Sequence, residues 1–135
     1  MKPSVAINLG LQVARQHHDK TAMEGAWFKL TSRGNLTACV GGLMWLGLMN
    51  STQVGRVRAS LVDNPFSQDP EQTHLADRII EEVHNDKDMV TAEMKMLVHP
   101  VTKKEGCFGY ILTTLNDDHQ WTANKIIKWL KKEGM

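Results

Sequence analysis

The chain has 135 residues, of which 41% are hydrophobic and 23% charged, and its formal net charge is +1. This length supports one hydrophobic core, so we predict a single globular domain over residues 1–135. A net charge so close to zero excludes an overall field strong enough to attract nucleic acid or an acidic membrane. Any such partner would require a local charged patch.

The N-terminus and the cysteines both indicate a cytoplasmic protein. Asn8, Gly10 and Gln12 interrupt the first apolar stretch, where a secretory signal would be continuous. The two cysteines, Cys39 and Cys107, lie far apart in the sequence and are typical of reduced thiols rather than of a disulfide framework.

The N-terminal third predicts two short strands. Every odd-numbered position from Val5 to Val13 is apolar, which is the period of a half-buried strand. The alternative is a helix that begins at Pro3-Ser4, since both residues are common at helix starts. A second strand is predicted over residues 26–31, where aromatic residues cluster before a turn at residues 32–35.

The longest uncharged apolar run, Ala38 to Met49, predicts a helix over residues 37–49 that begins near Thr37 and is buried on most of its surface. Glycine destabilises a helix interior, so we expect Gly41 and Gly42 to be contact points for another element. A second helix is predicted over residues 52–61.

Two further helices are predicted in the second half of the chain. The two prolines of residues 62–70 predict a loop, and Pro70 begins a helix that reaches Asn85, with Asp69 as its cap. In residues 121–132 the apolar residues recur at helical spacing and lysines lie between them. This pattern predicts the last helix.

Between these two helices the sequence predicts a β-hairpin. Apolar residues alternate along residues 89–98, and aromatic and β-branched residues are frequent in residues 107–115. The basic segment 99–106 would form its exposed tip.

Together these elements predict an α+β fold. A small antiparallel sheet, built from the hairpin at residues 89–115 and the two N-terminal strands, would pack on the buried helix 37–49. The helices at residues 70–85 and 120–132 would cover it.

Residues 46–61 resemble the turn and second helix of a helix-turn-helix motif. In that motif the second helix enters the major groove and polar residues near its start contact base edges. The candidate nucleic-acid contacts are Thr52, Gln53, Arg56 and Arg58. The low net charge favours the simpler interpretation of two core helices with a solvated basic edge, so a DNA-binding regulator is an alternative function.

Cys39 lies near the start of a predicted helix, where the helix N-terminus lowers the pKa of a nucleophilic thiol. His99, at the end of a predicted strand, would be the partner base of a cysteine hydrolase. The apolar residues around Cys39 favour a buried structural thiol instead, so the hydrolase is a second alternative.

No motif predicts a metal or a cofactor. The six histidines and two cysteines show neither Cys-x-x-Cys nor His-x-x-x-His spacing, and Gly41-Gly42 lacks the lysine of a phosphate-binding loop.

The segment 39–43 (CVGGL) and the ending from Leu115 to Leu130 resemble an uncharacterised family of small bacterial and phage proteins. That family pairs a cysteine-led, glycine-containing helix with a later Asn-Asp turn and helix. The resemblance implies no activity, because the family has no known function. The small size of the chain is common among phage and mobile-element proteins, so such an origin is an expectation.

Lysines are concentrated at the predicted hairpin tip and on the last helix. Lys103 and Lys104 belong to the tip, and the helix carries Lys125, Lys128, Lys131 and Lys132. If the two elements are neighbours, these residues form one cationic face that would attract an acidic protein surface or a phosphate-bearing ligand. We therefore predict a small intracellular regulatory or inhibitory binding protein.

Overall fold

Seven helices and two short hairpins make up the part of the chain that the structure, a computed structural model, describes: residues 1–17, 27–62 and 70–135, the last range with backbone only at 70–76. The predicted α+β class is confirmed. The helices are α1 (Pro3–Ala14), α2 (Val40–Leu48), α3 (Ser51–Leu61), α4 (Pro70–Val83), α5 (Lys87–Glu93), α6 (Phe108–Asp117) and α7 (Ala123–Lys132). The strands are β1 (Phe28–Leu30), β2 (Leu36–Ala38), β3 (Met96–Val98) and β4 (Glu105–Cys107).

The N-terminal strand prediction is wrong, because residues 3–14 form helix α1, the alternative that Pro3-Ser4 offered. The buried residues of α1 recur every three or four positions and include small ones: Pro3, Ser4, Ala6, Ile7, Gly10, Leu11 and Ala14. Of the odd-numbered apolar residues, Val5 is exposed, so the two-residue period does not mark the buried face.

Small residues let α1 lie directly against α2, and this is the largest helix–helix contact of the fold. A Cβ atom at Gly10 would overlap the carbonyl oxygen of Leu43, and one at Gly47 would overlap that of Ala6. The two backbones therefore touch at two points along the pair. Such an approach allows only glycine at either point.

Helix α2 is buried on nearly all sides, as its apolar run predicted. Its cap differs from the prediction: Thr37 lies in β2, and Cys39 is the N-cap, with its Sγ accepting a hydrogen bond from the Gly42 N–H at 3.4 Å. Gly41 and Gly42 are confirmed as contact points. Their missing side chains make room for the ring and the carbonyl group of Trp27, just before β1.

The predicted helix at residues 52–61 is confirmed as α3. Asn50 caps it with a reciprocal capping box, since its side chain accepts from the Gln53 N–H while the Gln53 side chain accepts from the Asn50 N–H. Helix α4 begins at Pro70 as predicted and ends at Val83. The predicted Asp69 cap and the preceding loop lie outside the described residues, apart from Val62.

The strand predicted over residues 89–98 is wrong for most of its length, because residues 87–93 form α5 and only residues 96–98 are extended. Asp86 starts α5, with its side chain accepting from the backbone N–H groups of Asp88 and Met89. In β3 the apolar side of that alternation is the exposed one. Leu97 is buried, while Met96 and Val98 are exposed.

The strand predicted over residues 107–115 is also wrong beyond Cys107, where helix α6 begins. The residues Phe108, Ile111, Leu112 and Leu115 are buried and follow helical spacing. Cys107 caps α6 without a side-chain hydrogen bond, so no capping signal marks this start in the sequence. The last helix is confirmed as α7.

The hairpins do not form the single sheet that the sequence predicted. Strand β1 pairs with β2, and β3 pairs with β4, each antiparallel and each in its own two-stranded sheet. The N-terminal contribution to a common sheet is absent because residues 3–14 are helical. Helix α6 packs on the β3–β4 hairpin, and α7 packs on α1. The buried side chains form one hydrophobic cluster.

We expect Gly10→Ala to destabilise the fold, because the added methyl group would force α1 and α2 apart. Overpacking of this kind costs about 1–3 kcal/mol or more, which urea unfolding would measure. Gly55→Ala is the matched control, since a Cβ atom at Gly55 in α3 would meet no atom within 4 Å. The control should gain up to about 1 kcal/mol from helix propensity. Equal stability of the two variants would contradict the packing described here.

Candidate functional site

The first candidate residue, Cys39, lies in surroundings that suppress thiol reactivity. Burial raises the pKa of the Cys39 thiol, and the nearby Asp117 carboxylate raises it further, although the N–H groups of Gly42 and Gly41 act in the opposite direction. The helix N-terminus that suggested an activated thiol is therefore outweighed by desolvation. Asn116 occupies the same helix end, because its buried Oδ1 accepts the Val40 N–H at 3.0 Å.

His99, the predicted partner of Cys39, uses both ring nitrogens elsewhere. Its Nδ1 accepts hydrogen bonds from the N–H groups of Val101 and Thr102 at 3.1 and 3.2 Å. The ring proton must then lie on Nε2, which is 2.9 Å from Thr114 Oγ1. No ring nitrogen is left to bind a thiol, so this geometry does not favour a Cys39–His99 pair.

His99 instead holds the β3–β4 turn. Its side chain is only 2% exposed, and its ring lies edge-on to that of His119 at a centroid distance of 5.2 Å. Burial lowers the pKa of His99, and the neighbouring His119 lowers it further, against a smaller opposing effect of Asp118. Burial and His119 both favour the neutral imidazole.

The candidate nucleic-acid residues of α3 are mostly engaged within the protein. Arg56 forms an ion pair with Glu82 of α4 at 2.7 Å, and Gln53 donates to the same carboxylate at 3.1 Å. Arg58 donates to the Gly34 carbonyl at 3.2 Å. Thr52 is exposed. An acidic side chain that covers the start of α3 opposes the approach of DNA phosphates.

The candidate binding lysines occupy two separate regions. Lys103 and Lys104 lie in the β3–β4 turn, and Lys125, Lys128 and Lys132 lie on α7. The hairpin packs on α6, whereas α7 packs mainly on α1. The hairpin and the last helix therefore pack mainly on different elements, and close packing between the two does not join their lysines into one cationic face.

The lysines also differ in whether they have a local partner. Lys103 has a positive φ of 64° and donates from Nζ to the Pro100 carbonyl at 2.8 Å, while Lys125 lies 4.2 Å above the centroid of the Trp121 ring. Lys104, Lys128 and Lys132 are exposed. No carboxylate of the described residues lies within ion-pair distance of these three.

A shallow cleft of about 380 Å³ separates the end of α1 from the start of α3. It is lined by Val13, Met49, Asn50, Ser51, Val54, Gly55 and Arg58. The apolar side chains outnumber the charged ones, and no group of converging ionisable side chains lines it. The cleft is therefore concave but has few ionisable side chains that could bind a ligand.

Two large apolar side chains of the β3–β4 hairpin are exposed side by side on β3, and the sequence patterns did not reveal them. Met96 is paired with Cys107, and Val98 with Glu105, so these four side chains point to one side of the hairpin. We call this side the hairpin face. Met96 is 65% exposed and Val98 53% exposed, while Leu97 points inward and is buried.

Exposed apolar side chains also flank the hairpin face in the sequence. Met94, just before β3, is 81% exposed, and Tyr110, in the first turn of α6, is 62% exposed but lies against the Gly106 side of the hairpin, opposite the hairpin face. Lys95, Lys103 and Lys104 are exposed around the same segment. The hairpin therefore combines apolar side chains with a basic surround.

The described residues contain neither a cluster of metal ligands nor a membrane-spanning helix. No three side chains among His, Cys, Asp and Glu are grouped so that they could hold a metal ion. No helix within ranges 1–17, 27–62 and 70–135 has both the length and the apolar character that crossing a bilayer requires.

Comparison of this chain with models of protein families, with curated proteins and with solved structures finds no match. The resemblance to an uncharacterised phage family therefore stays a prediction.

The two thiols should differ sharply in reactivity. At pH 7–8 we expect a thiol reagent to modify the exposed Cys107 rapidly and Cys39 only after denaturant is added, because burial keeps Cys39 protonated. Labelling of wild type and of Cys107→Ser, followed by mass spectrometry, separates the two sites. Rapid labelling of Cys39 in the folded Cys107→Ser variant would revive the hydrolase alternative.

His99 should make stability depend on pH. Because the folded-state pKa of His99 is lowered, its contribution is complete above the unfolded pKa of about 6.5 and is lost as the pH falls below that value. One such proton changes the free energy of unfolding by at most about 1.4 kcal/mol per pH unit. His99→Asn, which keeps an acceptor for the turn, should flatten this dependence in urea unfolding between pH 7.5 and 5.

The control for His99→Asn is His17→Asn, since His17 is exposed. That variant should keep the pH dependence of the wild type. Identical profiles for both variants would show that His99 titrates as it does in an unfolded chain.

Proposed function

We propose that this protein is a small binding protein that recognises another protein through the hairpin face. One observation supports this most strongly: Met96 and Val98 point away from the core although they belong to a regular strand. Scattered single apolar residues are normal on a surface, but a cluster on one element is typical of a contact site.

The residue types on and around the hairpin face suit protein recognition. Methionine is flexible and polarisable, so it adapts to partner surfaces of different shape. Met96 lies on the hairpin face, and Met94 is exposed just before β3.

The charges around the hairpin face define the partner. Lys95, Lys103 and Lys104 are exposed near it, and Glu105 is the acidic member of the face itself. A partner with an apolar patch bordered by acidic side chains is complementary to this arrangement. The lysines would mainly raise the association rate, while the apolar contacts would carry the affinity.

The alternative functions have weaker support. DNA recognition through α3 would require Arg56 to leave Glu82, and hydrolysis would require Cys39 to ionise against the effects of burial and Asp117. Binding of a phosphate-bearing ligand through α7 would rely on Lys128 and Lys132, which are exposed on one side of that helix.

The proposal is tested by a photo-crosslinking amino acid placed at position 96, in cells that naturally make the protein, with position 62 as control. Val62 is equally exposed but belongs to the end of α3. We expect position 96 alone to crosslink one abundant partner. The partner is then purified, and its affinity is measured by calorimetry.

In that measurement Met96→Glu should weaken binding by tenfold or more, which is about 1.4 kcal/mol, because a charge would be buried in the interface. Val62→Glu should leave the affinity unchanged. If both variants bind as the wild type does, the hairpin face is not the contact site.

A further inference from the structure

We infer that a second copy of this chain pairs with the free edge of β3 and converts two hairpins into one four-stranded antiparallel sheet. This inference goes beyond the proposed function, because it concerns the edge of the strand rather than the face of the hairpin. It rests on three features of β3: unpaired backbone groups, a self-complementary spacing and the absence of protective charges.

The hydrogen-bond pattern shows which backbone groups point outward. The N–H of His99 donates to the Lys104 carbonyl at 2.8 Å, so residues 99 and 104 form a hydrogen-bonded pair. Pairs alternate along an antiparallel ladder, and Leu97 with Gly106 is therefore the next such pair. The N–H and C=O groups of Met96 and Val98 then point away from β4.

No described residue hydrogen-bonds to these outward groups of Met96 and Val98. The other hairpin provides a direct contrast. There the Ala38 N–H, at the edge of β2, donates to Gln16 Oε1 at 3.0 Å, and Gln16 Nε2 donates to the Ala38 carbonyl at 3.4 Å. The Gln16 side chain occupies that edge as a neighbouring strand would, and β3 has no equivalent.

The spacing of the outward groups fits a two-fold axis. If Leu97 lies opposite Leu97 of a second copy, Met96 lies opposite Val98 of that copy, and the reverse pair forms on the other side of the axis. Each of these two pairs exchanges both backbone hydrogen bonds, which gives four bonds in all. Opposed residues share a side of the sheet, so Met96 packs beside the second copy's Val98 on the outer surface.

Charges do not oppose this arrangement. Strand β3 contains no lysine, proline or acidic residue, which are the usual means of keeping an edge unpaired. Across the axis Lys95 faces His99, whose neutral form is favoured by burial. The edge of β4, by contrast, carries Glu105. A formal net charge of +1 leaves little long-range repulsion between copies.

The four-stranded sheet would also double the hairpin face. Both copies turn Met96 and Val98 to the same side, so the exposed apolar side chains of the two hairpins become one continuous strip. Because each edge offers only three residues, we expect a weak dimer that forms at about 0.1–1 mM protein.

Sedimentation equilibrium at protein concentrations from about 10 µM to about 1 mM tests the inference. Wild type should change from monomer to dimer over this range. Val98→Lys should stay monomeric because it places a charge on the edge, and Val101→Lys, an equally drastic change in the exposed turn, should dimerise as wild type does. A monomer at every concentration, or equal behaviour of the two variants, would overturn the inference.

A disulfide experiment tests the register independently. In a Cys107→Ser background, Met96→Cys and Val98→Cys face each other across the proposed axis, at a Cα distance of about 5.5 Å that a disulfide can bridge. Mild oxidation should crosslink a mixture of the two variants but neither variant alone. Equal crosslinking of the separate variants would overturn the pairing.

The outcomes for the dimer and for partner binding are separable. If the wild type stays monomeric and Met96→Glu loses affinity for the partner, the edge pairing is refuted and the proposed function is retained. If the wild type dimerises and position 96 crosslinks no partner, the edge pairing is retained and the proposed function is refuted.

Discussion

The contact between the backbones of α1 and α2 is the constraint on which the rest of the fold depends. Gly10 and Gly47 each meet a carbonyl group of the opposite helix, so the pair is closer than side chains would permit. Helix α2 is thereby covered on one side, and Trp27 and Asn116 complete its burial from the β1 strand and from α6. The surroundings of Cys39 follow from that burial, since its thiol lies where these elements converge.

Sequence patterns predicted the elements whose signals were large and local. Helices α3, α4 and α7 have a cap or an initial proline together with bulky apolar residues at helical spacing. Helix α1 was mistaken for a strand because half of its buried stripe consists of small residues, which carry little hydropathy signal. Helix α6 was mistaken because its aromatic and β-branched residues favour strands and its start lacks a capping side chain. Packing against the core, which a single sequence does not display, decided both.

The sequence did not predict which side of strand β3 is buried, for a similar reason. Only the end of the alternating segment forms β3, and there the apolar side with Met96 and Val98 is exposed while Leu97, which interrupts the polar side, is buried. A strand of three residues contains too few positions for hydropathy to determine its orientation. Helix α6 determines it, because the Leu97 and Gly106 side of the hairpin lies on Ile111 and Tyr110. The lysines at the turn were predicted to be exposed, and they are, since charge alone decides that.

The two hairpins differ because they lie in different surroundings. Strand β2 runs into the buried start of α2, where an unpaired backbone group would cost about 1–3 kcal/mol, and Gln16 removes that cost. The groups at the edge of β3 face solvent, so water satisfies them in the single chain and no side chain is needed. Replacing that water by another strand gains only about 0.5–1.5 kcal/mol for each hydrogen bond. Association at β3 must therefore be driven by burial of Met96 and Val98, and the backbone groups serve mainly to set the register.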